Sequence, residues 1–131
     1  MIACEKDEKK SIAITEVDFN VRPTDFKECL TCDQVYIVNT QEDYEELLGG
    51  CVTDLPQINF SQHSFVIVWG NTGCLMNKSI EFSNNGTNSY NLKVNLQLGF
   101  CNSVDPWYSA FYIHSKIVDN ATINLIKNEF Y

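Results

Sequence analysis

One run, Tyr90-Asn91-Leu92-Lys93-Val94-Asn95-Leu96-Gln97-Leu98, constrains the fold more than any other in the chain. Apolar and polar side chains alternate along it without a break, and a period of two puts the apolar set on one face of a β-strand and the polar set on the other. Just upstream, Asn84-Asn85-Gly86 signals a turn, because Asn and Gly accept positive φ. Residues 79–83 before that turn read as a strand with Ile80 and Phe82 pointing inward. The two strands are expected to pair antiparallel.

Other segments extend this pattern. Thr15, Val17, Phe19 and Val21 alternate with polar neighbours, so residues 15–21 are expected to form a strand closed by Pro23. Residues 23–33 read as a loop, 35–38 as a strand and 65–69 as a continuous apolar run belonging to a central strand. Asp105-Pro106 is expected to break the chain before strands at 107–113 and 121–126. The best helix candidate is 40–48. Thr40 can cap it and Asp43 stands three residues on, close to a capping box. Tyr44, Leu47 and Leu48 share a face, and Gly49-Gly50 ends the segment. Seven strands and one short helix predict a mainly β domain, an antiparallel β-sandwich or strongly curled sheet.

The 131 residues suit one domain, expected at 11–131 behind a polar tether at 1–10. A chain of this size buries roughly two thirds of its unfolded surface, so it needs no metal or cofactor to fold. No apolar run approaches the roughly 18 residues of a membrane span. The formal net charge of −8 argues against binding to nucleic-acid phosphates or docking on anionic lipid. A basic protein surface or a neutral glycan is a better match.

Cys29, Cys32, Cys51, Cys74 and Cys101 are an odd number once Cys4 is set aside, so two disulfides at most can form among them. Cys74 and Cys101 stand beside Gly73 and Gly99 at the edges of two neighbouring predicted strands and are the favoured pair. A second bridge would join Cys51 to Cys29 or to Cys32. The spacing Cys29-Leu30-Thr31-Cys32 is that of a redox pair, but a strand follows it instead of a helix. Glu28 and Asp33 also flank it with charge that disfavours a thiolate. A structural staple is therefore the expectation. One C-x-x-C with isolated further cysteines does not make a zinc site. His63 and His114 lie in no motif, so no catalytic constellation emerges and the chain is expected not to be an enzyme. In 107–113, alternation sets Trp107, Ser109, Phe111 and Ile113 on one face and Tyr108, Ala110 and Tyr112 on the other. An open Tyr108/Tyr112 pair would be a candidate binding surface for a protein or a sugar.

At the N-terminus, Ile2-Ala3-Cys4 supplies the apolar residue, small residue and Cys that end a bacterial lipoprotein signal peptide, whose charged and apolar parts are expected upstream in a longer precursor. Cys4 is then the lipid attachment site and the membrane link runs through it alone. Cys4-Glu5-Lys6-Asp7-Glu8 resembles the start of lipoproteins of the Bacteroides group, where Lys and acidic residues after the lipidated Cys resemble a signal for export to the outer face of the outer membrane. The resemblance implies a bacterial cell-envelope protein at the outer membrane, with its folded part outside.

A second resemblance covers about the last three quarters of the chain. Tyr36-Ile37-Val38-Asn39-Thr40 leads into the helix with Tyr44 and Leu47, Pro56-Gln57-Ile58-Asn59-Phe60-Ser61 follows, and Phe65–Trp69, Gly73-Cys74, Gly99-Phe100-Cys101 and Lys116 come after. This order is similar to the C-terminal domain of the protease-complex stabilising subunit (PrcB type) and to Bacteroides-group lipoproteins of similar size. Asn59 stands where Asp is typical, and His114-Ser115 where a Pro often precedes the Lys. The resemblance implies a non-enzymatic partner that steadies an exported protease, and no catalytic residues come with it. The sequence therefore predicts a membrane-tethered interaction domain that binds an envelope protein, with a glycan-binding surface lipoprotein as the alternative.

Overall fold

The computed structural model describes residues 10–131. Cys4, and with it the expected lipid attachment and nearly all of the tether, lies outside the described residues. Lys10, assigned to the tether, instead opens a short strand.

Eight strands form two four-stranded sheets. They are β1 (Lys10–Ser11), β2 (Ile14–Glu16), β3 (Tyr36–Val38), β4 (Ser64–Thr72), β5 (Leu75–Asn84), β6 (Ser89–Leu98), β7 (Asp105–Ile113) and β8 (Thr122–Phe130), with helix α1 (Gln41–Leu48) between β3 and β4. One sheet has the order β1-β5-β6-β8 and the other β2-β7-β4-β3. Every pairing is antiparallel except β6 with β8, which is parallel. The architecture is the expected β-sandwich, with one parallel pairing, nine residues long, at an edge.

The β5–β6 hairpin forms where the alternation places it, with Ile80 opposite Val94 and Phe82 opposite Leu92. Gly86 takes φ 131° and Asn88 φ 53°, and Asn84 Oδ1 accepts from Gly86 N at 3.1 Å. The turn residues thus supply the left-handed backbone that the reversal needs. Leu92, Val94, Leu96 and Phe82 face Val66, Val68, Trp107, Phe111 and Ile113 of the other sheet to make the inter-sheet core.

The β2-β7-β4-β3 sheet has a second core on its far side. Phe65, Ile67 and Trp69 pack there against Phe19, Phe26, Tyr44, Leu48 and Val52. This explains why β4 is an uninterrupted apolar run: its odd positions serve one core and its even positions the other. Helix α1 closes the second core with Tyr44 and Leu48 fully buried, and Asp43 N donates to Thr40 Oγ1 at 3.1 Å as its N-cap.

Several expected boundaries move, and the last strand, expected at 121–126, runs from Thr122 to Phe130. The strand expected at 15–21 ends at Glu16, because Asp18 Oδ1 accepts from Asn20 N and Asn20 turns left-handed at φ 57°. Val17, Phe19 and Val21 still pack inward, now from a loop. Pro23 opens a 3-10 helix, Pro23–Glu28, whose Phe26 is buried. Pro106 does not break the chain: it pairs with Asn71 inside β7. There β7 has already outrun β2, which pairs only with residues 111–113, and proline is tolerated near the start of a strand with one free side.

Residues behind the second resemblance converge at the end of the sandwich where the N-terminal segment enters. Lys116 Nζ donates to Phe60 O at 2.7 Å, and Asn39 Nδ2 donates to Ile117 O at 3.0 Å and Asp119 Oδ1 at 2.5 Å. Buried Ser64 bonds to Asn39 Oδ1 and accepts from Ile117 N. These side chains tie loops to the sheet.

Candidate functional site

Seven large apolar side chains stand exposed among the described residues, and five of them gather at one end of the molecule. They are Met76, Phe100, Val104, Phe130 and Tyr131. Phe100 is 94% exposed and Tyr131 73%. Isolated exposed aliphatics are ordinary on a protein surface, whereas an apolar cluster is not.

The sandwich builds this tip from three chain segments. The turn from β4 to β5 brings Cys74 and Met76, the loop at 99–104 brings Phe100 and Val104, and the end of β8 brings Phe130 and Tyr131. The Cys74–Cys101 disulfide joins the first two, with Cα atoms 5.4 Å apart. Gly99 N donates to Cys74 O at 2.7 Å, and Leu75 N donates to Asp105 Oδ2 at 2.7 Å. Met76 packs closely over Gly99, where a Cβ would stand 2.9 Å from Met76 Sδ and 3.3 Å from Cys74 Sγ. Phe100 stacks on Tyr131 with ring centroids 5.1 Å apart and planes 15° from parallel. The loop is pinned on both sides of Phe100, so the ring is held out with little conformational entropy left to lose on binding.

Lys10 pairs with Asn84 and Ser11 with Ser83, at the other end of β5 from Leu75. At about 3.3 Å per residue the N-terminal entry and the tip lie on the order of 30 Å apart along the sheet.

The cysteines divide plainly. Cys29 bonds to Cys51, with Cα atoms 6.2 Å apart, and Cys32 is free and exposed. The C-x-x-C residues are therefore not bonded to each other. The first bridge fastens the 3-10 helix to the segment after α1.

Tyr108 and Tyr112 occupy the face opposite Trp107, as alternation requires, but they are half-buried and do not form an open pair. Tyr108 packs on Phe26 and Phe19 at centroid distances of 4.9 and 6.3 Å. Its hydroxyl accepts from Phe19 N at 3.0 Å and donates to Asp18 Oδ1 at 3.3 Å. Burial pushes this phenol above its usual range, and the Asp18 carboxylate adds to the shift while the bond from Phe19 N opposes it. Tyr112 stacks beside His63 and His114, at 4.5 and 5.8 Å. The two histidines, distant in sequence, come within 6.0 Å of each other. His63 Nδ1 lies 3.1 Å from Ile113 O, and His114 Nε2 lies 2.8 Å from Thr15 Oγ1. Among the described residues no three His, Cys, Asp or Glu side chains group to hold a metal ion.

A cleft of about 330 Å³ opens between β5 and β7 and is lined by Glu16, Val17, Asp18, Lys78, Tyr108, Ser109 and Ala110. Lys78 Nζ donates to Ser109 Oγ at 3.1 Å. Burial holds the ammonium below its usual range, and Glu16 partly offsets this. Serine beside an amine of lowered pKa is the pairing that Ser–Lys hydrolases use. Here Ser109 is 1% exposed and its hydroxyl accepts from Lys78. The pair bridges the two sheets, and an inward-pointing lysine also guards the β5 edge against strand pairing.

Sequence periodicity did not reveal the tip. Its residues sit in turns and at a terminus, and the only local signal was Phe100 lodged between Gly99 and Cys101. No family model matches the chain, and neither a curated protein nor a solved structure does.

Proposed function

We propose that this chain is a non-enzymatic interaction domain of an exported, lipid-anchored bacterial envelope protein, which docks and steadies another envelope protein through the Phe100/Tyr131 tip. The observation that carries the reading is the position of the apolar cluster. It lies at the end of the sandwich opposite the N-terminal entry, so attachment through Cys4 leaves it uncovered. The two disulfides suit an oxidising, exported compartment. The resemblance to the protease-complex stabilising subunit supports the same kind of role, and that to Bacteroides-group lipoproteins supports the outer membrane as the place. The net charge of −8 over the whole chain suits a partner with a basic surface.

The glycan reading draws on the same rings. A sugar platform needs aromatic faces side by side, whereas Phe100 and Tyr131 stack on each other, so their two outer faces point in opposite directions. That geometry suits an apolar pocket on a protein better than a sugar chain.

The test is capture of the tagged, lipidated chain from detergent-solubilised host envelopes, with a photo-crosslinking side chain at position 100. The expected result is one protein in near-equal amount, lost when Phe100 and Tyr131 are both replaced by Ser. Capture that survives the double substitution would overturn the tip as the docking site. Recovery of glycan alone would favour the alternative.

A further inference from the structure

The two edges of the β1-β5-β6-β8 sheet differ in how they are protected. At one edge β1 covers the end of β5, the register of β5 shifts between Leu75 and Asn77, and Lys78 points inward. A short cover, a bulge and an inward charge are the usual means by which sheets avoid edge pairing. The other edge, β8, has neither a covering strand nor a bulge among the described residues. It runs nine residues, contains no proline and pairs in unbroken register with β6 from Ser89↔Thr122 to Gln97↔Phe130. Its charged side chains are turned to their own chain: Lys127 Nζ lies 3.2 Å from Asp33 Oδ1, and Glu129 Oε2 accepts from Thr72 Oγ1 at 2.6 Å.

The outer face of this sheet also carries two polar rungs that stop at β8. In one, Asn85 Nδ2 and Asn124 Nδ2 both donate to Asn91 Oδ1, each at 3.4 Å. In the other, Asn128 Nδ2 donates to Asn95 Oδ1 at 3.0 Å, and Asn95 Nδ2 donates to Glu81 Oε2 at 2.9 Å. Each rung ends in an exposed asparagine whose carbonyl oxygen makes no hydrogen bond among the described residues.

We infer that β8 is a self-association edge, on which a second copy of this chain adds its own β8 antiparallel about a two-fold axis through Ile126, forming one eight-stranded sheet. Antiparallel partners must share a face, so residue numbers across the axis sum to an even value. Centring on Ile126 overlaps all nine residues and sets Thr122 opposite Phe130, Asn124 opposite Asn128 and Ile126 opposite itself. Each asparagine rung then meets the other rung of the second copy. Leu125 faces Lys127 and Ile123 faces Glu129, so no like charges stand opposite. Centring on Lys127 would set lysine against lysine, which is unfavourable. Such an isologous contact closes on itself and leaves Phe100 and Tyr131 of both copies outside the paired residues, at opposite ends of the double sheet, with Phe130 alone of the tip residues on the paired edge. This inference is independent of the partner proposed for the tip.

The test uses the full 131-residue chain carrying Cys4→Ser and Cys32→Ser, so that no intermolecular disulfide through those thiols can imitate association. Analytical ultracentrifugation is expected to show a monomer–dimer equilibrium. Ile126→Lys, at a solvent-facing position, should weaken it by at least about tenfold while leaving the circular dichroism spectrum unchanged. Ile126→Cys should give a disulfide-linked dimer under mild oxidation, because the two positions face each other at about 5 Å. Thr122→Cys should not, since it lies about 27 Å from its own equivalent. A chain that stays monomeric up to its solubility limit would overturn the inference. So would a dimer indifferent to Ile126→Lys, or equal cross-linking at 122 and 126.

Discussion

Lys78 Nζ, carried by β5 of one sheet, donates to Ser109 Oγ on β7 of the other across 3.1 Å. Burial depresses the ammonium's pKa below its unfolded value. The folded state therefore binds fewer protons at this site than the unfolded state just below pH 10.5, and stability rises with pH through that window. In a Cys32→Ser background, which limits disulfide exchange, thermal unfolding midpoints followed from pH 8 upward should show this gain. Lys78→Met should lack it. An identical pH slope in both proteins would mean that Lys78 is solvated.

Tyr44 acts in the opposite sense. Its hydroxyl donates to Pro56 O at 2.8 Å, and burial pushes its pKa up to about 12 from 10.0. The folded state keeps the proton that the unfolded state releases, so this contribution is complete below pH 10 and is lost as pH climbs toward 12. Tyr44→Phe should cost about 1–2 kcal/mol at neutral pH through the unpaired carbonyl. It should also flatten the alkaline loss, which paired unfolding curves at pH 7 and pH 11 would show.

Asn39 holds the other end of the sandwich. It bridges Ser64, Ile117 O and Asp119 from a buried position. Asn39→Ala strands several buried polar groups at once and should destabilise by about 2–3 kcal/mol in urea unfolding. Lys116→Met, which removes bonds at a more exposed position, should cost less than half as much. The opposite ranking would show that the Lys116 contacts carry the junction.

The contrast between these sites and the tip shows what the chain discloses before folding. Alternation in 90–98 and the unbroken apolar run in 65–69 reveal which strands are half-buried and which are buried on both faces. The capping pattern at Thr40 reveals the helix. Alternation fixes a side chain's face but not its neighbouring strand, so the parallel pairing of β8 with β6 was not legible. Nor was the cover over Tyr108, because Phe26 reaches it from a segment without periodicity. Phe100 escaped for the same reason: a single aromatic in a loop has no period, and only the Cys74–Cys101 bridge shows that it is held outward.

That bridge is the next quantity to measure. The linked cysteines are 27 residues apart, and in the chain-entropy account a loop of this size contributes about 3 kcal/mol. Cys74→Ser should lower stability by about that amount and add one free thiol, from Cys101, under denaturing conditions. Cys51→Ser should likewise release Cys29. A variant that gains no thiol would show that the bridge does not form.

The tip itself should separate binding from stability. Phe100 and Tyr131 are both largely solvent-exposed, so replacing both by Ser removes little buried apolar area. The change should shift unfolding free energy by no more than about 0.5 kcal/mol. Leu92→Ala in the inter-sheet core, where the side chain is fully buried, should by contrast cost about 3 kcal/mol. The same double substitution should nevertheless elute markedly earlier than the unaltered chain from a phenyl-substituted hydrophobic column, because it removes two of the five exposed side chains that make the cluster. If the double variant unfolds much more easily, the rings are structural, and the Cys74–Cys101 loop is a latch on the sandwich instead of a mount for a docking surface. If stability and retention are both unchanged, Met76, Val104 and Phe130 carry the apolar character of the tip, and those three become the positions to alter.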